Sequence, residues 1–264
     1  MRKVLQILAW IILPIIILVV GILAQEYNQN RVIKELKVDI NYRENGEVNR
    51  FLTYEDINTF VRHRYDSIEG KAQKDINIEK LEEDLKDIPY VLRADAYSTL
   101  DGTIQLRIKQ RRALVRVVDM MGDQFYLDEE ATIIPIRSFF PARVPVCNGA
   151  IPSLGFYAKQ RSQAQLDSLI GNSILIDIYK MAKYIDNDSL LRMQIVQLNV
   201  DDNGEFELVP LVSRHIIEFG KAEDIEEKFE KLKVFYKEGL GHHKWNDYKK
   251  LNLKYKNQIV CTKY

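Results

Sequence analysis

The side chains best suited to chemistry are few and scattered. The chain holds four histidines and two cysteines in 264 residues. His242 and His243 are adjacent in "GLGHHKW". Adjacent rings in a loop rarely reach one metal ion without further ligands, so a solvated loop is the simpler reading. "DDNGE" at 201–205 opens like a calcium loop but lacks the 12-residue frame that ends in glutamate; it reads as a hairpin turn. Asp128, Glu129 and Glu130 are a run of carboxylates that could suggest acid–base work. Side chains adjacent in sequence diverge and no partner base is evident, so a solvated turn is expected. Ser213 and His215 can be drawn with an aspartate into a triad, but no spacing supports it. There is no Walker loop, no GxSxG, no HExxH and no Cys/His metal spacing. The sequence points away from an enzyme and implies neither a cofactor nor a metal.

Two other features concern binding and redox state. "RIKQRRALVR" at 107–116 is a basic stretch. It is either a partner- or headgroup-binding stripe or a strand whose solvent face is basic, and the second reading is preferred. Cys147 and Cys261 either pair across the fold, as thiols in an oxidising compartment often do, or remain two buried free thiols, the preferred reading. With 38 basic and 38 acidic side chains the net charge is zero, which argues against a general nucleic-acid binder.

The elements that must position these residues fall into groups. Residues 4–24, "VLQILAWIILPIIILVVGILA", are an apolar run interrupted only by Gln6. About 20 such residues span the hydrocarbon core as a helix, and proline is tolerated there. The run is too long for a signal peptide's apolar region and ends at a poor cleavage site. An uncleaved anchor is expected, with a cytoplasmic tail at 1–3 and residues 25–264 outside the cytoplasm. The flanking positive charges are nearly balanced, but long domains translocate largely regardless of charge. A polar linker covers 25–34.

A first domain is expected over 35–112. A strand at 35–41 is followed by a helix opened by Thr53, with Asp56 three residues on in a near capping-box pattern. A second helix runs over 78–88 and stops at Pro89. Strands near 90–98 and 103–110 are joined by Asp101-Gly102, a hairpin signal. The order β-α-α-β-β makes a compact α+β module with two helices on one face of a small sheet. The second domain, 113–264, is β-rich. Its strands are expected at 113–118, 123–127, 131–136, 143–146, 194–200, 204–210 and 214–219, on an antiparallel-dominated sheet. Two helices interrupt them, at 163–185 and 222–238, with Gly239 as a C-cap. Two short β-rich runs, 251–255 and 259–262, complete the domain. A terminal strand of this kind tends to lie at a sheet edge, with its backbone groups open.

Three stretches resemble the bacterial cell-division family FtsQ/DivIB. "IPYVLRADAYSTLDGTIQLRIKQRRALVRV" (88–117) is similar to the family's Pro-aromatic-Val opening, turn and strand leading into its second domain. "GDQFYLDEEATIIP" (122–135) is similar to the hairpin beginning that domain. "HIIEFGKAEDIEEKFEKLKVFY" (215–236) with "LNLKYKNQIVCTKY" is similar to its strand-Gly, Lys-bearing helix and terminal strand pair. Ala113, Glu130, Asn252 and Lys254 depart from the residues common at those places. The resemblance implies a short cytoplasmic tail, one transmembrane helix, a POTRA domain and a β domain. It implies a non-enzymatic scaffold at the division septum whose terminal strands bind FtsB/FtsL-type division proteins. An open edge can be completed by a partner strand, which makes Lys254, Tyr255, Asn257, Gln258, Ile259, Val260 and Thr262 the candidate partner-binding residues. The alternative is a membrane-anchored POTRA protein of secretion or outer-membrane protein assembly. That class usually repeats the domain or continues into a barrel, and only one β-α-α-β-β unit is visible here.

Overall fold

Thr53 and Asp56 show how directly local sequence sets the first elements. In the computed structural model the Asp56 N–H donates to Thr53 Oγ1 at 3.2 Å and the Thr53 N–H donates to Asp56 Oδ2 at 2.9 Å, a complete capping box. The structure describes residues 10, 12–13, 15–21, 30–44, 47–48, 50–153, 174–239 and 247–264. The chain divides into two units, Met1–Gln110 and Arg111–Tyr264.

In the first unit, β1 (Glu35–Asn41), a short hairpin of β2 (Arg43–Glu44) and β3 (Glu47–Val48), α1 (Tyr54–Tyr65) and α2 (Ile78–Leu85) precede β4 (Val91–Ser98) and β5 (Thr103–Gln110). The order across the main sheet is β1-β5-β4, with β1 parallel to β5 and β4 antiparallel to it. Ile104, Leu106 and Ile108 on β5 are buried, as are Leu36 and Ile40 on β1. Ile57 and Val61 of α1 and Leu81 and Leu85 of α2 are buried with them. Asn77 caps α2 through the Lys80 N–H, 2.9 Å. The helix ends at Leu85, one turn earlier than the 78–88 pattern predicts, because the last residues before Pro89 form 3₁₀-type turns. The Asp101-Gly102 turn is present, with Asp101 Oδ1 accepting the Thr103 N–H at 3.1 Å.

The second unit holds β6 (Ala113–Val118), β7 (Gln124–Asp128), β8 (Ile133–Pro135) and β9 (Val146–Gly149). Then come α3 (Ile174–Asn187), α4 (Ser189–Gln194), β10 (Ile195–Val200), β11 (Phe206–Pro210) and β12 (Ile216–Gly220). It closes with α5 (Ile225–Val234), a π-helical turn (Phe235–Gly239), β13 (Tyr248–Asn252) and β14 (Val260–Lys263). One nine-stranded sheet runs β14-β13-β12-β11-β10-β9-β6-β7-β8. The pairs β6–β9, β9–β10 and β12–β13 are parallel and the other five antiparallel. Leu175, Ile178, Met181 and Ile185 of α3, and Phe229 and Leu232 of α5, join the sheet's buried side chains in one core. Tyr184 stacks on Phe229, with ring centroids 5.1 Å apart. The "DDNGE" stretch is the β10–β11 turn, in which Asp201 Oδ1 accepts the N–H groups of Asn203 (2.9 Å) and Glu205 (2.8 Å).

Several expectations need correction. The strand expected at 143–146 begins only at Val146 and runs to Gly149. The terminal pair is shifted: β13 starts at Tyr248 and stops at Asn252, whose side chain accepts the Lys254 N–H at 2.9 Å and turns the chain out of the ladder. The helix expected at 222–238 is α5 plus the π turn, and Gly239 closes that turn. The run Asp128–Glu130 is a solvated turn only in part: Glu129 and Glu130 form the β7–β8 turn with Glu130 exposed, but Asp128 ends β7 and is buried against Arg111. Nor is the stretch 107–116 simply a basic solvent face, since Arg111 and Arg112 are both buried. The start of the helix expected at 163–185, residues 163–173, lies outside the described residues, as do His242 and His243. Of the apolar segment 4–24, residues 10, 12–13 and 15–21 are described and helical, and the rest lie outside. Among the described residues no helix is long and apolar enough to cross a membrane.

Candidate functional site

The nine-stranded sheet ends on two different edges. At one, β8 is three residues long and finishes on Pro135, which has no N–H to donate to a further strand. At the other, β14 pairs among the described residues only with β13, in the register Lys250↔Thr262, Leu251↔Cys261 and Asn252↔Val260. Among the described residues its second row of backbone groups has no neighbouring strand, the arrangement that accepts an added one. Val260, Thr262 and Lys263 are exposed and Cys261 is half-buried. In the first unit, an edge strand is partly closed from within: Glu82 on α2 accepts the Ala96 N–H of β4.

The turn before β14 is held by side chains from three elements. Gly220 ends β12 at φ +78°, and the stem of Lys254 lies over it; a Cβ there would meet Lys254 Cγ at 3.0 Å. The Lys254 ammonium reaches Glu205 on the far side, and that hydrogen bond raises its pKa. On β13, Lys250 pairs with Glu218 of β12 at 2.5 Å, which likewise raises the lysine's pKa. Lys231 of α5 donates to the carbonyls of Tyr255 (2.7 Å) and Leu253 (3.3 Å), pinning the turn to the helix. Asn257 takes the left-handed conformation at φ +60°, the tight bend that aims Gln258 and Ile259 back toward α5.

The candidate residues therefore separate by role. Val260 and Thr262 present an exposed face on the edge strand, and Tyr255 is 51% exposed at the turn. Asn257, Gln258 and Ile259 line an open groove of about 580 Å³. Lys254 is engaged within the domain rather than offered outward. The helix wall of the groove, Glu230, Val234, Phe235 and Glu238, escapes a reading of the sequence. The available signal is Val234, an apolar residue off the buried Phe229–Leu232–Tyr236 stripe and 55% exposed.

The groups that could have done chemistry have structural partners. His215 is buried, with Nδ1 facing Ser213 Oγ and Nε2 3.1 Å from the Tyr236 hydroxyl. It bridges the turn before β12 to the π turn, and a phenol stands where a triad would need an acid. Arg111 pairs with Asp128 at 2.6 Å, and Arg112 with Asp186 at 2.6 Å and Glu129 at 2.5 Å. Among the described residues no cluster of three or more His, Cys, Asp or Glu could hold a metal. Cys147 is buried, with its pKa pushed up to about 12 by burial, and Cys261 is raised for the same reason; both are free thiols.

Residues 112–262 match the family described as FtsQ/DivIB, C-terminal related, over more than half of the chain. The chain belongs to that family. Residues 31–109, ahead of this FtsQ/DivIB-related domain, match a POTRA-like domain. No curated protein matches the chain. Both matches are to scaffold domains, and together they indicate a cell-division protein built on a POTRA-like module. The FtsQ/DivIB-related domain is thus the unit that carries the open β14 edge and the adjoining groove.

Proposed function

We propose that this FtsQ/DivIB-related chain is a single-pass, non-enzymatic scaffold of the bacterial divisome. Its N-terminal segment 4–24 anchors it in the inner membrane, with the N-terminus in the cytoplasm and both folded units outside. The β14 edge binds the extracytoplasmic part of FtsB/FtsL-type division proteins by strand addition, and through them the chain supports septum formation. The observation that carries this reading is the outer edge of β14, unpaired among the described residues, in a chain of this family. Main-chain hydrogen bonds supply affinity in such an arrangement, and pockets for alternate side chains supply specificity. Membrane confinement raises the effective concentration of both partners, so a modest intrinsic affinity suffices.

The test is a pair of variants, Val260→Pro and deletion of 257–264. Each is expected to abolish binding of the FtsB/FtsL-type partner while the POTRA-like module stays folded by circular dichroism and proteolysis. Normal binding by Val260→Pro would refute strand addition. In dividing cells, a fluorescent fusion to the N-terminus is expected at mid-cell, and the band should vanish when residues 113–264 are removed. An even distribution around the envelope would favour a role in secretion or outer-membrane protein assembly instead.

A further inference from the structure

The groove beside β14 carries information about the partner's sequence. Its apolar lining is Val234 and Phe235 on the helix wall and Ile259 opposite. Phe235 packs edge-on against Tyr248 of β13, centroids 5.8 Å apart, so the lining is continuous with the sheet's own packing. Its rim is acidic, with Glu227, Glu230 and Glu238. Among the described residues the lining includes one cation, Lys231, and its ammonium is already engaged by the carbonyls of Tyr255 and Leu253 and lies 3.9 Å from Glu227. Glu230 shares Lys233 with Asp188. Glu238 is exposed and forms no ion pair among the described residues. Among the described residues the groove thus combines exposed apolar surface with a net negative rim, next to an unpaired strand edge.

Resting on the reading of β14 as the docking edge, we propose that this groove selects a partner strand carrying a large apolar side chain with a lysine or arginine two residues away. A strand added to β14 places every second side chain on the side facing α5. An apolar side chain level with Ile259 would enter the groove, and its same-face neighbour, about 7 Å along the strand, would meet the glutamate rim. Charge complementarity of this kind chiefly sets partner choice, register and association rate. It also excludes acidic strands, which would place like charges together.

The test uses the full-length chain in nanodiscs and the purified extracytoplasmic region of its FtsB/FtsL-type partner. The variants are Glu230→Lys/Glu238→Lys, Val234→Asp and Val260→Pro, each checked for an unchanged thermal midpoint. The double lysine variant is expected to bind about tenfold or more weakly. Raising salt should weaken the wild type and not the variant. Charge reversal of the partner's basic residue should restore binding to the variant. If Val260→Pro fails to bind and the double variant binds like the wild type with the same salt response, the groove proposal is overturned and the edge reading survives. If Val260→Pro binds normally, the edge reading falls and the groove proposal falls with it. If the chain alone dimerises and Glu238→Lys makes it monomeric, the groove belongs to a second copy and the proposal is overturned.

Discussion

Arg111 and Asp128 are 17 residues apart yet form the most deeply buried ion pair among the described residues of the second unit, with 9% and 2% of their side chains exposed. Asp128 Oδ1 also accepts the N–H groups of Thr132 (2.7 Å) and Glu130 (2.9 Å), so the carboxylate is satisfied only as a set. Arg111→Ala strands that carboxylate and should cost on the order of 3–5 kcal/mol in chemical denaturation. Glu227→Ala, at an exposed pair, should change stability by less than about 1 kcal/mol. Asp101 gives a pH signature. The Thr99 hydroxyl, then the Thr103 N–H, lower its pKa to about 2. A carboxyl held below its unfolded value of about 3.9 contributes stability above that value and loses it as pH falls through about 2. The thermal midpoints of wild type and Asp101→Asn should therefore differ at pH 6 and converge toward pH 2. Residue types alone misplace the "DEE" and "RR" groups, because a carboxylate run and an arginine pair look solvated until the fold places each opposite the other.

At the scale of elements, short-range patterns transfer well and long-range closures do not. The Thr53–Asp56 box, the β5 alternation and the two hairpin turns all rest on neighbours within five positions, and the structure contains each of them. The α4 helix is not legible in the sequence because six residues are too few to show a period; Asp188 defines it by accepting the N–H groups of Leu190 and Leu191 at 3.0 Å. The parallel pairing of β9 with both β6 and β10 leaves no trace in local sequence, yet it imposes a tight approach. Gly149 sits at φ +110°, and a Cβ there would fall 2.0 Å from the Val200 carbonyl oxygen. Gly149→Ala should destabilise the domain by well over about 1 kcal/mol, measured as a lower denaturation midpoint with unchanged slope. Of the candidate site, the exposed residues of β14 are readable because a short β-rich run, 259–262, follows the polar break at Lys256 and Asn257. The helix wall of the groove was not, since Val234 and Glu238 matter only once α5 lies beside the 257–259 turn.

At the scale of the whole molecule, sheet order decides what the two cysteines can do. Cys147 lies on β9 and Cys261 on β14, five strand positions apart. At about 4.8 Å per strand that is roughly 24 Å, far beyond the Cα separation of a disulfide. The thermal midpoint should be the same with and without reductant, and alkylation under native conditions should label Cys261 before the buried Cys147. The two edges of the same sheet have another consequence. Among the described residues one ends on Pro135, which has no N–H to donate, and the other has no neighbour along β14, so on the proposed reading the sheet has a valence of one. A sheet of that kind would take up one incoming strand at β14 and offer a poorer template at β8. Whatever strand binds becomes the new outermost one, and the decision to extend the assembly passes from this chain to its partner.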